Sequence, residues 1–265
     1  MTQRQEIRKG LAGIGERFLA FLGYVGGIWI MFVEIVFWTF VPPFKRKPII
    51  DQMKKIGIDS LPIALMTSLF TGIVLALQSA YQMQKLNAEM YIASLVSLSM
   101  CRELGPVLTA LVVAGRVGAS ITAELGTMKV TEQVDALEAL ATNPIKYLAV
   151  PRFVALFFML PLLTIYADFV GIIGGYLVGV GKLGIGSNLY IKMSFKPLFL
   201  KDFFTGLVKA FAFAIIICIV ACYQGLTTKS GAEGVGKSTT AAVVTSFILI
   251  IAADCFFTAM FYFVF

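Results

Sequence analysis

The residues best suited to chemistry lie in two stretches. Near the C-terminal end, "GAEGVGKSTT" sets Gly231, Gly236, Lys237 and Ser238 in the phosphate-loop pattern G-x-x-x-x-G-K-[ST]. In a nucleotide hydrolase that loop follows a buried parallel strand and opens a helix whose backbone N–H groups cradle the phosphates. Here it follows "FAFAIIICIVACYQGLTTKS" and runs into "TTAAVVTSFILIIAADCFFTAMFYFVF". Asp254 imitates the acid of a second nucleotide-binding strand. Only 15 residues separate it from Ser238, too few for a helix, a return loop and a strand. The expectation is a glycine-rich turn between two membrane helices, a fortuitous motif match, and no nucleotide or other cofactor on this chain.

The second stretch is "CRELGPVLTALVVAGRVGASITAELGTM", residues 101–128. It carries Arg102, Glu103, Arg116 and Glu124 inside an otherwise apolar run. Each costs ~2.5–3.5 kcal/mol at the centre of a membrane helix, so such residues face protein or water and often mark function. Adjacent helix positions point about 100° apart, so Arg102 and Glu103 need separate partners. Counted from a cytoplasmic end near Thr127, they lie ~36 Å up the helix, close to the outer interface. Lys209 sits about two turns inside the outer end of another apolar run. Gln78 and Tyr81 lie near the outer end of a third. Polar groups from three helices thus share one depth within apolar walls, a setting for an amphiphile with a charged head and greasy tails. The competing reading is a structural ion-pair network. Gly105-Pro106 is placed to kink the helix beside this site.

These residues need a membrane bundle to position them. The chain of 265 residues is 58% hydrophobic and 14% charged, against ~25% charged in soluble domains. It has no histidine, the commonest metal ligand and general base. Its four cysteines sit in apolar runs without zinc spacing and read as packing residues. No metal site is expected. The net charge of +7 suits anionic lipid head groups rather than nucleic acid.

A spanning helix needs ~20 apolar residues. Residues 60–84, 90–125, 147–180, 203–225 and 239–265 qualify. Residues 18–41 are apolar but contain Glu34 and follow the basic, amphipathic "MTQRQEIRKGLAGIGERF". Crossing the membrane there would separate two basic segments, which the positive-inside rule disfavours, so residues 1–41 read as an interfacial region. Residues 18–41 are also too long for a signal-peptide core and no clean small-residue cleavage site follows them, so the N-terminus is expected to be retained. With both basic segments inside, the cytoplasmic loops hold 14 Lys and Arg and the outer loops five. That bias puts the N-terminus in the cytoplasm and the C-terminus outside. Gly171, Gly175 and Gly179 form a small-residue stripe suited either to intrachain packing or to a subunit interface. Between the second and third spans, residues 131–141 of the polar segment 129–143 form a short helix with Glu132, Asp135 and Glu138 on one side, ended by Asn143-Pro144. It is either a handle for a cytoplasmic partner or an ordinary solvated loop helix.

The block "ELGPVLTALVVAGRVGASITAELGTMKVTEQVDALEALATNPIKYLAVPR", residues 103–152, resembles the signature of the MlaE/YrbE permease family. "GAEGVGKSTTAAVV" resembles that family's last cytoplasmic loop, which usually has arginine where Lys237 stands. The resemblance covers nearly the whole chain as one domain. It implies an all-α integral membrane fold with an N-terminal interfacial helix, five transmembrane helices (residues 60–265) and a short cytoplasmic coupling helix. It implies the homodimeric permease of a phospholipid transporter in the bacterial inner membrane. Its implied partners are a separate ABC ATPase, a periplasmic MCE-domain (MlaD-like) hexamer and a STAS-domain (MlaB-like) protein bound through the ATPase. Carried onto this sequence, Arg102, Glu103 and Lys209 would line the lipid cavity, and Glu132, Gln133 and Asp135 would lie in the coupling helix. No catalytic residue is implied. The rival class is a stand-alone membrane enzyme modifying lipids, which would have to work with carboxylates and Lys209 alone. A neighbouring pair of genes for an ATPase and an MCE protein discriminates the two.

Overall fold

A computed structural model describes residues 2–43, 46–229 and 231–264. Among them the only regular structure is helical. In lipid every backbone polar group must be satisfied within its own segment, and long apolar runs meet that demand as helices. Six stretches are long and apolar enough to cross a membrane: Leu22–Phe40, Arg46–Gln84, Glu89–Val130, Ile145–Gly181, Leu200–Leu226 and Gly231–Phe263. The protein is an all-α, multi-pass membrane protein.

The elements are α1 (Thr2–Phe40), α2 (Arg46–Gly57), α3 (Leu61–Gln84), α4 (Ile92–Ser99), α5 (Gly105–Val113), α6 (Ala119–Val130), α7 (Gln133–Ala139), α8 (Val150–Gly181), α9 (Ser187–Phe195), α10 (Leu200–Leu226) and α11 (Gly231–Val264). Helices α4, α5 and α6 form one long rod joined by two π-helical turns, Met100–Leu104 and Ala114–Gly118. Pro106 has no N–H for the carbonyl one turn back, and the widened turn before α5 absorbs that missing bond.

Small residues set the helix pairings. Helices α3 and α8 run in the same direction, with Ser68 donating to the Ala167 carbonyl and Gly72 against the Gly171 backbone. The α4–α6 rod runs parallel to α10. Gly206 lies under the Cys101 carbonyl, Thr122 Oγ1 donates to the Ala221 carbonyl at 3.1 Å, and Gly225 lies under Leu125. Helix α11 returns antiparallel, placing Val235 by Gly126 and Phe247 by Gly115. The main core gathers Ile35, Leu125, Leu156, Leu160, Phe213 and Ile217, all fully buried. The glycine stripe of α8 is used within the chain: Gly171 packs on Met100 and Ser68, and Gly175 and Gly179 on Tyr190 of α9. A side chain at Gly72 would meet backbone, which cannot yield, whereas Gly181 faces open space. Gly72→Val should therefore cost about 1–3 kcal/mol and lower the unfolding midpoint in detergent, while Gly181→Ala should leave it unchanged.

Helix α1 is continuous, and both ends of its second half meet the same end of the bundle. Gln224 Nε2, near the end of α10, donates to Tyr24 Oη at 2.8 Å. Lys146, just before α8, donates to the Pro42 carbonyl at 3.0 Å and lies 5.0 Å from the Trp38 ring centre. Tyr24 and Trp38 are ~21 Å apart along a helix, so this stretch lies across the bundle end. The side chains of the basic segment up to residue 14 fall outside the described residues.

Two local expectations are corrected. The short helix begins at Gln133, because Glu132 takes a left-handed conformation (φ 60) that breaks the chain away from α6. It ends at Ala139, with Ala141 also left-handed (φ 54). Asn143 instead starts the next element: its side chain accepts the Lys146 N–H at 3.1 Å. The "GAEGVGKSTT" stretch is not a turn. From Gly231 onward it forms the first turns of α11.

Candidate functional site

The N-terminal half of α10, the C-terminal part of α11 and the first π turn converge on one charge cluster. Lys209, on α10, is 1% exposed although it sits in an apolar helix. Its ammonium has three N–H bonds, and three oxygens surround it. Glu103 Oε2 lies at 2.6 Å, Thr258 Oγ1 at 2.7 Å and Asp254 Oδ1 at 2.9 Å. Thr258 also donates to Glu103, at 3.0 Å from Oε1. The two residues from α11 are spaced i, i+4 and so share a face.

Arg102 leaves the π turn in a different direction, as adjacent positions require. Its Nε lies 3.3 Å from Asp202 Oδ1, and its side chain remains 48% exposed. The other Asp202 oxygen accepts the Phe199 N–H at 3.0 Å, capping α10. One buried carboxylate therefore both starts α10 and aims Arg102. Leu98, Ser99, Arg102, Glu103, Thr205, Lys209, Thr258, Phe261 and Tyr262 line a cavity of about 290 Å³ beside the cluster. Its floor is ionic and its far wall aromatic. Such a lining can hold a charged or polar group beside apolar surface.

Arg102, Glu103 and Lys209 line one cavity, and Gln78 and Tyr81 are not among its lining residues within the chain. Both are exposed on α3, and Tyr81 Oη accepts from Lys85 at 3.2 Å. Equal depth was the only warrant for grouping them, and depth says nothing about which way a helix face points. Asp202, Asp254 and Thr258 are the residues that sequence reasoning missed. The signal for Asp254 was its being a lone acid in the last apolar run, which the nucleotide-motif comparison had absorbed.

At the opposite end, Glu124 binds Lys55 at 2.6 Å and Arg152 at 2.9 Å, joining α2, α6 and α8. Arg152 is buried and also donates to the Leu148 carbonyl at 2.6 Å. Beyond this knot hangs α7. Glu132, Gln133, Asp135 and Glu138 are all exposed there, while Val134 is buried and fixes the helix to the bundle. Lys129 holds Asp135 at 2.6 Å. Leu140, just past α7, is 76% exposed.

Lys237 belongs to neither site. It is exposed on α11 and pairs with Glu233 at 2.7 Å, one helical turn away. Among the described residues no strand precedes Gly231.

The chain matches the family model described as Permease MlaE over residues 49–260. It is 47% identical to a probable ABC transporter permease protein of Rickettsia felis over 94% of this chain and 96% of that relative. It is 48% identical to a similarly described protein of Rickettsia typhi, over 93% of this chain and 95% of the relative. A probable ABC transporter permease protein of Synechocystis is 45% identical over 80% of each. With a membrane bundle, a family match across most of its length and full-length relatives of this kind, the chain belongs to the MlaE permease family.

Proposed function

We propose that this chain is the membrane subunit of an ABC transporter that moves phospholipid between the bacterial inner membrane and a periplasmic MCE-domain protein. The observation that carries the reading is the Lys209–Glu103–Asp254 cluster with half-exposed Arg102 at the mouth of an apolar-walled cavity. Lys209 is enclosed by its own partners and shapes the site. Arg102 is the group that meets a phosphate, through the paired hydrogen bonds a guanidinium offers. Two copies face each other across this cavity, with α1 at the cytoplasmic interface and the C-terminus periplasmic. A separate ATPase docks on α7, and a STAS-domain protein joins through that ATPase. The MCE hexamer continues the apolar path on the outer side. ATP hydrolysis in the partner moves α7, the Glu124 knot passes that motion to α2 and α8, and the cavity changes shape.

A lipid-modifying enzyme would need a free base or nucleophile at the cavity. Here Glu103, Asp202 and Asp254 are all engaged by cations or hydrogen bonds. Mass spectrometry of lipid co-purifying with the assembled transporter tests the reading. Phospholipid should be recovered in fixed proportion to the permease, and its absence from active complex would overturn the proposal. The α-helical setting of "GAEGVGK" gives a second test. Lys237→Arg should leave ATPase activity of the complex within about twofold, whereas in a true phosphate loop the change abolishes it.

A further inference from the structure

The α4–α6 rod has two π turns, and each one carries an arginine. Arg102 belongs to the outer site. Arg116, on the second turn, is ~21 Å away along the rod and the outer site does not use it. Insertion of an extra residue into a helical turn is frequently associated with function. Arg116 is exposed, and its Nη1 donates at 2.7 Å to Ser60 Oγ, which is completely buried. Among the described residues no carboxylate lies within ion-pairing distance of it. It lines a cleft of about 190 Å³ with Gln52, Lys55, Asp59, Ser120 and Glu124.

The charges of this cleft sort into used and unused. Glu124 is held by Lys55 and Arg152. Asp59 is exposed, and among the described residues no cation lies within ion-pairing distance of it. A cation and an anion therefore share one small cavity without reaching each other. Ile56, Val117 and Ile121 form the apolar base, and Ile58 beside Asp59 is 61% exposed. Asp59 and Ser60 immediately precede α3, which places the cleft at the membrane–water boundary on the α7 side.

We propose that this cleft binds the zwitterionic phosphoethanolamine head group of a lipid in the cytoplasmic leaflet, with the phosphate on Arg116 and the ammonium on Asp59. The assignment of the leaflet rests on the transporter reading above. The guanidinium supplies directed hydrogen bonds to phosphate oxygens, and Ser60 fixes its orientation. Asp59 then favours a head that carries its own cation over a purely anionic one. The volume admits a head group and leaves the acyl chains in the surrounding lipid.

The test uses the assembled complex reconstituted in vesicles of either radiolabelled phosphatidylethanolamine or radiolabelled phosphatidylglycerol. A photo-crosslinking benzophenone side chain replaces Ser120 in one sample and Ser99, at the outer cavity, in another. Ser120 should be labelled by phosphatidylethanolamine in preference to phosphatidylglycerol. Arg116→Gln should reduce that label by about tenfold, as expected for loss of a charged hydrogen bond. Asp59→Asn, at an exposed position tolerant of change, should erase the preference while phosphatidylglycerol label persists. Excess soluble phosphoethanolamine should leave the label in place; its displacement would overturn the lipid assignment in favour of a soluble ligand. Label at Ser99 with none at Ser120 would overturn this inference alone. Label at Ser120 without label at Ser99 would sustain it and count against the outer site. Labelling of Ser120 that neither Arg116→Gln nor Asp59→Asn alters would also overturn it.

Discussion

Lys209→Ala should destabilise the folded protein by about 1–3 kcal/mol, because it leaves the partly exposed Glu103 and Asp254 carboxylates together without their shared cation. Folded yield in detergent should fall sharply, and transport with it. A structural network alone would produce the same loss, so the informative variant removes the whole cluster. Glu103→Gln, Lys209→Met and Asp254→Asn together discard the charges of the cluster and keep the approximate volumes. Replacing a buried ion network by neutral groups of similar size is often neutral or stabilising. The triple variant should therefore recover the thermal stability that Lys209→Ala loses. Its lipid retention should remain low, since the ionic floor of the cavity is gone. Recovery of both stability and wild-type transport would make the cluster purely structural.

If α7 is the ATPase dock proposed above, charge reversal at Glu132 and Asp135 should reduce ATPase capture by more than about tenfold while the permease still inserts and folds. Both side chains are exposed on the segment that hangs beyond the bundle. Asp135→Lys also sets two cations against each other where Lys129 now holds a carboxylate at 2.6 Å. Single rim charges act mainly through steering and have mild effects, which is why the double variant is specified. Glu132 occupies a left-handed conformation, so Glu132→Gly should be tolerated and serves as the conformational control. Leu140 offers a separate anchor. An exposed leucine beside α7 suits a pocket on a partner, and Leu140→Asp should weaken ATPase binding more than either single charge change. Capture of normal amounts of ATPase by the double charge variant and by Leu140→Asp would remove α7 from the interface.

Much of this architecture was written in the hydropathy. A run of ~20 apolar residues has one stable form in lipid, so the rods holding Ser68, Gly171 and Lys209 were readable without coordinates. The need for separate partners for Arg102 and Glu103 also followed from helix geometry alone. Who those partners are did not. Asp202 and Asp254 reach the cluster because α10 and α11 dock on the rod in a particular register and rotation, and a single sequence carries neither. The same gap hides that Gln78 and Tyr81 are not among the residues lining this cavity within the chain. Boundaries failed where backbone conformation overrode composition. Left-handed Glu132 delayed α7, and the glycines of "GAEGVGK" entered a helix because a long apolar helix follows without a break. Of the two π turns in the α4–α6 rod, the first left a trace at Pro106 and the second left none.

Arg102 offers the most direct measurement of the central claim that the outer cluster holds a phospholipid head group. Its side chain is half exposed, and Asp202 keeps its capping bond to Phe199 without it. Arg102→Gln keeps an N–H donor for the buried Asp202 carboxylate and should therefore fold and melt close to the wild type. Phospholipid retained per folded permease, determined by mass spectrometry on matched material, is expected to fall about tenfold, the loss of one charged, paired hydrogen bond to phosphate. Wild-type lipid content together with wild-type transport in that variant would contradict the account.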